Sequence, residues 1–314
     1  MIREQILPLF GGRLRRSLQM AEVDYESLRE LRLRVAKPVS ILGEGGIKYL
    51  SEEGELTENA KDAICPEMKE LKSVVESACG YSGYAFEEEI KRGYLTIPGG
   101  HRMGLAGRAV MNGCEIQTLK HISALNLRIA HPVQGCGERW RKYLYEKREP
   151  CHVLIISPPG CGKTTLLRDV IRMYSDGGSG YLPKTVGVVD ERSEIAGTYR
   201  GVAAHDLGSH TDVLDGCPKG LGMEMLLRSM APDVLAVDEI GVSDISALES
   251  ALRCGCRILA TLHGKNMEDF LEKPGFSMLA KEKVFDRYIF LSAEMRPGEV
   301  CQIYGKNFEK LWEG

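Results

Sequence analysis

The sequence predicts an α/β protein in two parts, a smaller amino-terminal α/β domain and a larger domain built on a parallel sheet. Two observations support the larger domain. Apolar, strand-like runs alternate with helical stretches, and a glycine-rich loop joins one such run to the helix that follows it. This alternation implies right-handed crossovers between parallel strands, and ligands of such sheets bind beyond the carboxyl ends of the strands. A length of 314 residues with 43% hydrophobic residues suits two packed domains.

The predicted domain boundaries follow a polar stretch near the middle of the chain. Residues 1–131 are predicted to form the amino-terminal domain, residues 132–150 a linker with a helix from Glu138 to Lys147, and residues 151–314 the larger domain. Strands and helices in the first part are indicated by period-2 alternation and by amphipathic spacing. The predicted strands are Leu31 to Val35, Pro38 to Leu42, Tyr94 to Ile97, His101 to Val110 and Leu125 to Ile129, and the predicted helices are Pro66 to Cys79 and Glu87 to Gly93.

In the larger domain, the predicted strands are apolar runs and a closing hairpin. The strands are Val153 to Ile156, Thr185 to Val189, Val234 to Val237 and Arg257 to Leu262, with a hairpin of Tyr288 to Leu291 and Val300 to Tyr304. The helical stretches between them are Thr164 to Tyr174, Gly222 to Met230 and Ile245 to Arg253.

The glycine-rich loop is predicted to bind the phosphates of a nucleotide. Backbone N–H groups at a helix N-terminus converge on a phosphate where glycine lets the main chain approach, and a lysine adds a mobile positive charge. A threonine hydroxyl beside that lysine is a ligand for Mg²⁺. The loop consists of Ser157, Pro158, Pro159, Gly160, Cys161, Gly162, Lys163, Thr164 and Thr165. Its first position is Ser157 where the strict motif has glycine, and two prolines lack an N–H donor.

Two adjacent carboxylates end another apolar strand. Asp238 and Glu239 follow Val234 to Val237, and a buried strand that delivers two unpaired acids is costly unless a metal or a reaction uses them. Asp238 is predicted to hold hydrated Mg²⁺. Glu239, which points the other way, is predicted to orient and deprotonate an attacking water. The alternative is a solvated acidic turn.

Polar residues end two further strands of the predicted sheet. Asp190 and Glu191 follow Thr185 to Val189, and His263 follows Arg257 to Leu262. Because the carboxyl ends of parallel strands share one edge, we expect these residues to meet Asp238 and Glu239 at one site. A histidine at that edge favours a functional role over a packing role.

Composition excludes several classes. A net charge of −3 and no basic stripe with interleaved aromatic residues argue against a nucleic-acid partner. No apolar run approaches the roughly 20 residues that span a bilayer, and the start lacks a secretory signal, so a cytoplasmic protein is expected. The ten cysteines are scattered and are interpreted as reduced thiols.

The order of these motifs resembles that of the secretion ATPases of type II and type IV systems. The phosphate loop is followed by an acidic box from Val188 to Glu194, by the stretch Leu227 to Asp233 leading into Asp238 and Glu239, and by a histidine box from Ala260 to His263. The amino-acid sequences of the loop and of both acidic segments resemble those of the stage III AA sporulation family of spore-forming bacteria. The resemblance covers nearly the whole chain. The resemblance implies a RecA-like P-loop ATPase core.

The resemblance also implies roles and partners. ATP and Mg²⁺ would be the cofactors, Glu239 the leading catalytic carboxylate with Glu191 or Glu194 as assistant, and His263 a sensor of the γ-phosphate. The chain would form a homo-oligomer, a hexameric ring, at the cytoplasmic face of a membrane channel complex between mother cell and forespore. Secretion ATPases usually carry Gly-Glu where this chain has Asp238 and Glu239, so the metal role of Asp238 rests on general P-loop chemistry.

In that family, arginines of the amino-terminal domain reach the nucleotide as the domains close. Arg102, Arg108 and Arg128 are the candidates, because a charge inserted late stabilises a phosphoryl transition state. A solvated strand face is an equal alternative for them. Two other functions stay open: a nucleic-acid-driven ATPase of related fold, and a nucleotide-gated scaffold with little turnover.

Overall fold

The computed structural model describes residues 2–81, 86–131 and 133–314. The chain divides into two compact units, Met1–His131 and Pro132–Gly314. Each unit contains one large sheet with its own packed helices. An α/β architecture, as the sequence predicts, is therefore confirmed.

The first unit contains a seven-stranded antiparallel sheet in the order β4-β3-β2-β1-β7-β6-β5. Its strands are β1 Glu30–Arg34, β2 Lys37–Gly43, β3 Gly46–Leu50, β4 Leu56–Thr57, β5 Tyr94–Ile97, β6 His101–Asn112 and β7 Glu115–Arg128. Its helices are α1 Ile2–Ile6, α2 Gly12–Met20, α3 Met68–Ala78 and α4 Glu87–Lys91.

Period-2 alternation explains β1. Leu31 and Leu33 are buried on one face of the sheet, and the arginines between and after them lie on the other face. Helix α3 begins with a reciprocal capping box between Glu67 and Glu70, and it buries one apolar face. Strand β1 and helix α3 lie within one or two residues of their predicted positions. Strand β7 begins ten residues before the predicted Leu125, because its first half is polar and largely exposed and carries no apolar alternation.

The second unit contains an eight-stranded sheet in the order β12-β11-β13-β14-β10-β15-β16-β17. The six strands β10 to β15 are parallel, whereas β16 and β17 are antiparallel additions at one edge. The strands are β10 Val153–Ser157, β11 Val186–Asp190, β12 Thr211–Asp215, β13 Val234–Val237, β14 Arg257–His263, β15 Arg287–Leu291, β16 Val300–Gly305 and β17 Lys310–Glu313. A separate two-stranded ribbon pairs β8 Tyr145–Glu146 with β9 Glu149–Pro150.

Helices cover both faces of this sheet. They are α5 Arg141–Leu144, α6 Lys163–Asp176, α7 Lys219–Ser229, α8 Ile245–Arg253, α9 Met267–Glu272 and α10 Ser277–Lys281. Apolar side chains of β10 alternate between two buried clusters, one against α6 and one against α7 and α8. Both faces of β10 are thus buried, which is why its sequence is a continuous apolar run.

The predicted helix from Glu138 to Lys147 is shorter than expected. A short 3-10 turn, Glu138–Trp140, leads into α5, which ends at Leu144, and the β8–β9 ribbon follows. Lys147 and Arg148 both have positive φ angles, so the helix cannot continue through them. The segment is also no free linker, because Trp140 and Leu144 are buried in the core of the second unit.

Candidate active site

The phosphate loop connects β10 to α6. Gly162 precedes the first helical residue with a φ of +84°, a conformation that glycine adopts without strain. A Cβ at Gly162 would overlap the backbone nitrogen of Gly298, in the loop between β15 and β16. The N–H of Gly298 donates a 2.7 Å hydrogen bond to the carbonyl of Cys161. The β15–β16 loop therefore supports the phosphate loop from behind, and glycine is required at position 162.

Three side chains from three different segments converge beside this loop. Lys163 Nζ lies 3.5 Å from Glu239 Oε1 and 3.4 Å from His263 Nδ1. His263 Nε2 lies 2.8 Å from the same Glu239 oxygen. The lysine side chain is only 7% exposed. The ends of β13 and β14 lie beside the phosphate loop, as the sequence predicts.

The backbone conformation at Glu239 directs its side chain away from the side chain of Asp238. Glu239 has a φ of +46°, and its N–H donates to Thr261 Oγ1 at 2.9 Å. Burial raises the pKa of Glu239, but the charges of Lys163 and His263 outweigh burial and bring the pKa below the ordinary glutamate value. The carboxylate is therefore ionised at neutral pH.

Asp238 faces the hydroxyl of Thr164, the second residue of α6. Thr164 Oγ1 donates to Asp238 Oδ2 at 3.1 Å, and Thr261 Oγ1 donates to the other carboxylate oxygen. In the described parts of the chain, no group of three or more His, Cys, Asp or Glu side chains is arranged to hold a metal ion. One hydroxyl and one carboxylate fit Mg²⁺, which takes few protein oxygens and obtains its other ligands from phosphate and water. Thr164 and Asp238 could hold the ion.

Asp190, at the end of β11, has a structural task. Its carboxylate accepts hydrogen bonds from the backbone N–H groups of Glu194, Ile195 and Ala196 at 2.7–2.9 Å. Its side chain is buried, and burial raises its pKa to about 6 despite these bonds. Asp190 thereby fixes the loop that carries Glu191 and Glu194.

A small pocket brings the acidic box next to Asp238 and Glu239. Glu191 and Glu194 line it together with two cationic side chains, Arg192 and Lys219. Arg192 Nη1 lies 3.6 Å from Glu239 Oε2, and Lys219 Nζ lies 2.7 Å from Glu191 Oε2. Sequence reasoning assigned neither cation a role. A lysine directly after Pro218 at the start of a helix was the available signal, but α7 was predicted to begin only at Gly222.

The three candidate arginines lie on the long hairpin of the first unit. Arg102 and Arg128 are direct partners across β6 and β7 and therefore share one face of the sheet. The Arg102 guanidinium stacks 3.6 Å from the ring centre of Tyr94, and Arg108 lies opposite Lys120. Their approach to a nucleotide stays a prediction.

The parallel sheet, the phosphate loop on β10 and the acidic and histidine residues at the carboxyl ends of its strands together define a RecA-like P-loop fold. The chain is similar in fold to two solved structures. It aligns with DotB of Legionella pneumophila at 16% identity and a TM-score of 0.53, covering 88% of this chain and 75% of that one. It aligns with the pilus retraction motor PilT, solved with bound ADP, at 14% identity and a TM-score of 0.55, covering 91% and 77%.

The particular family follows from sequence. The family model described as sporulation stage III, protein AA, matches residues 1–311, and the chain belongs to this family. It is 42% identical over 290 residues to stage III sporulation protein AA of Bacillus subtilis (strain 168), covering 92% of this chain and 90% of the relative. The predicted resemblance is thereby confirmed. None of the helices described for this chain has the length and apolar character needed to cross a membrane.

Proposed function

We propose that this protein binds ATP with Mg²⁺ and hydrolyses it. The observation that carries the proposal is the convergence of Lys163, Glu239 and His263, from the phosphate loop and two neighbouring strands, within 3.5 Å of one another. A cation, a carboxylate and an imidazole gathered beside a phosphate loop suit phosphoryl transfer to water, which relies on positioning and electrostatic stabilisation.

Each side chain has a role in this proposal. Lys163 and the backbone of the loop bind the phosphates, and Thr164 and Asp238 hold Mg²⁺, which neutralises charge on the phosphate oxygens when bound. Glu239 accepts a proton from the attacking water, with Glu191 or Glu194 assisting. His263 contacts the γ-phosphate. Because Lys163 contacts Glu239 at 3.5 Å, its movement onto a phosphate would remove one of the three partners that hold the Glu239 carboxylate.

We further propose that the protein works as a homo-oligomeric ring, a hexamer, on membrane proteins of a sporulation channel complex. Membership of a sporulation stage III family and the fold shared with a pilus retraction motor support this proposal. ATP turnover would power or assemble a channel between mother cell and forespore from the cytoplasmic, mother-cell side. Arg102, Arg108 or Arg128 would complete the site late in the cycle. No nucleic-acid partner is proposed.

One observation favours a second function, a nucleotide-gated scaffold with little turnover. Glu239 is within ion-pair distance of Lys163, His263 and Arg192, so the proposed base is already occupied by three partners. The prolines of the loop also remove two N–H donors from the phosphate site.

ATP turnover measured against protein concentration separates the two functions. A ring ATPase should show specific activity that rises with protein concentration and with the cytoplasmic part of a membrane partner, and that requires Mg²⁺. ATP that binds but is not turned over under any of these conditions would favour the scaffold. Stimulation by single-stranded DNA instead of the membrane partner would favour the nucleic-acid-driven alternative.

A further inference from the structure

Lys219 is placed at the active site by the way α7 packs on the sheet. Pro218 is extended and directly precedes the helix, so Lys219 is its first residue. One turn later, a Cβ on Gly222 would lie 2.5 Å from Val189 Cγ1, so the absence of a side chain lets the first turn of α7 lie against the end of β11. Val189 directly precedes Asp190 and Glu191. The packing of α7 therefore fixes Lys219 beside the acidic box.

The contact between Lys219 and Glu191 differs from an ordinary surface ion pair. Nζ and Oε2 are 2.7 Å apart, and the two side chains are 14% and 32% exposed. Exposed ion pairs contribute little because water screens them and because two mobile side chains must be ordered. Here the lysine is largely shielded from water and is anchored at the start of a helix, so both the screening by water and the loss of side-chain entropy are smaller.

The negative charge of the surrounding pocket indicates what the contact between Lys219 and Glu191 does. Five carboxylate residues line the pocket, Asp190, Glu191, Glu194, Asp238 and Glu239, and like charges at such a site repel one another. Asp190 fixes the backbone of the acidic box through three N–H groups, but this does not fix the side chain of Glu191. Lys219 supplies a cation from a different element, outside the acidic box.

We infer that Lys219 is a positioning residue that holds the Glu191 carboxylate in the pocket beside Asp238 and Glu239, where it can orient the attacking water. This inference rests on the proposed hydrolysis of ATP. The ion pair described for Lys219 is with Glu191, so we expect Lys219 to act through Glu191. Its loss should lower the rate of the chemical step and leave ATP binding unchanged.

The test compares Lys219→Met, Lys219→Arg and Glu191→Gln. We expect Lys219→Met to lower kcat by about tenfold or more with a dissociation constant for ATP within about twofold of wild type. Lys219→Arg should restore most of kcat, and the double variant Lys219→Met/Glu191→Gln should be no slower than Glu191→Gln alone. Lys184→Met is the matched control. Lys184 makes an equally short pair of 2.6 Å with Glu149 and is 17% exposed, but it lies before β11, at the opposite edge of the sheet.

Two kinetic results would overturn the inference. Weaker ATP binding with kcat unchanged would make Lys219 a phosphate ligand, and fully additive losses in the double variant would make Lys219 and Glu191 independent. A double-mutant cycle on thermal unfolding of the same variants needs no activity, and we expect it to show coupling between the two residues. Absence of coupling would overturn the inference even if an individual variant is destabilised. An inactive wild-type protein with intact coupling would instead contradict the proposed function alone.

Discussion

The lysine of the phosphate loop contacts the carboxylate of Glu239, which follows β13: Lys163 Nζ lies 3.5 Å from Glu239 Oε1. This pair joins the group that would bind phosphate to the group that would activate water. A nucleotide phosphate would compete with Glu239 for the lysine, so binding of the substrate and release of the base are linked.

Lys163→Ala should abolish productive ATP binding and leave the fold intact. The lysine is largely buried, but its hydrogen-bond and ion-pair partners are the polar side chains of Glu239 and His263. Removing it deletes a phosphate charge. Isothermal calorimetry with ATP tests this, with Lys184→Ala as a control. Equal affinity in Lys163→Ala and wild type would contradict the phosphate-loop assignment.

Gly162→Ala should weaken ATP binding far more than Gly160→Ala does. Both glycines have a positive φ, so alanine causes backbone strain at either position. A Cβ at Gly162 would overlap Gly298, whereas nothing lies within 4 Å of a Cβ at Gly160. The difference between the variants isolates the contact with the β15–β16 loop. Equal losses in ATP affinity would show that this contact does not shape the phosphate loop.

Arg102, Arg108 and Arg128 should matter for turnover more than for ATP affinity, because a contact made only late in the reaction changes rate and not binding. Oligomer size should also grow with ATP, most clearly when hydrolysis is blocked, because a ligand shifts an equilibrium through its differential affinity for two states. Analytical ultracentrifugation and alanine variants of each arginine test this. A monomer at all concentrations with ATP, together with wild-type turnover in all three variants, would favour the scaffold.

The first unit should lose stability below neutral pH through His101. The N–H of Ala130 donates to His101 Nδ1 at 3.1 Å, and Nε2 lies 3.1 Å from Gln5 Oε1, so both ring nitrogens are engaged in the neutral form. Burial, with a smaller effect of His131, lowers the pKa of His101 to about 4 from 6.5. Protons therefore bind the unfolded chain more readily, and this stability is present above about pH 6.5 and lost as pH falls toward 4.

Urea unfolding between pH 4 and pH 7 checks this dependence. His101→Gln should remove part of the pH slope, by at most about 3 kcal/mol across that range. His121→Gln, which changes an exposed histidine of the same unit, is the matched control. An identical slope in His101→Gln and wild type would contradict the structural role of His101.

The central strands could be predicted because burial on both faces of the sheet requires a continuous apolar run. The phosphate loop could be predicted from its pattern of glycine, lysine and threonine residues. Strands β12 and β17 were missed, because they lie at the edges of the sheet and have largely exposed, polar sequences. Helices α1 and α2 were not predicted either. The helix of residues 138–144 ends early because of a turn at Lys147 and Arg148, which carries no glycine or asparagine as a signal.

At the candidate site, strand ends predicted which residues meet but not how they pair. Sequence alone placed Asp238 and Glu239 at one edge with His263, since the carboxyl ends of parallel strands share that edge. It could not assign Asp190 to fixing a loop, because that task depends on three backbone N–H groups positioned by the turn. Lys219 was missed because its position depends on the contact between α7 and β11.

Turnover by Glu239→Gln tests the central claim most directly. The substitution keeps the shape of the side chain and removes the base, so ATP should bind and persist while the rate of hydrolysis falls by at least about a hundredfold. The measurement is phosphate release under saturating ATP and Mg²⁺, with ATP affinity measured in parallel. A variant that binds ATP and hydrolyses it at close to the wild-type rate would contradict the account and transfer the role of the base to Glu191 or Glu194.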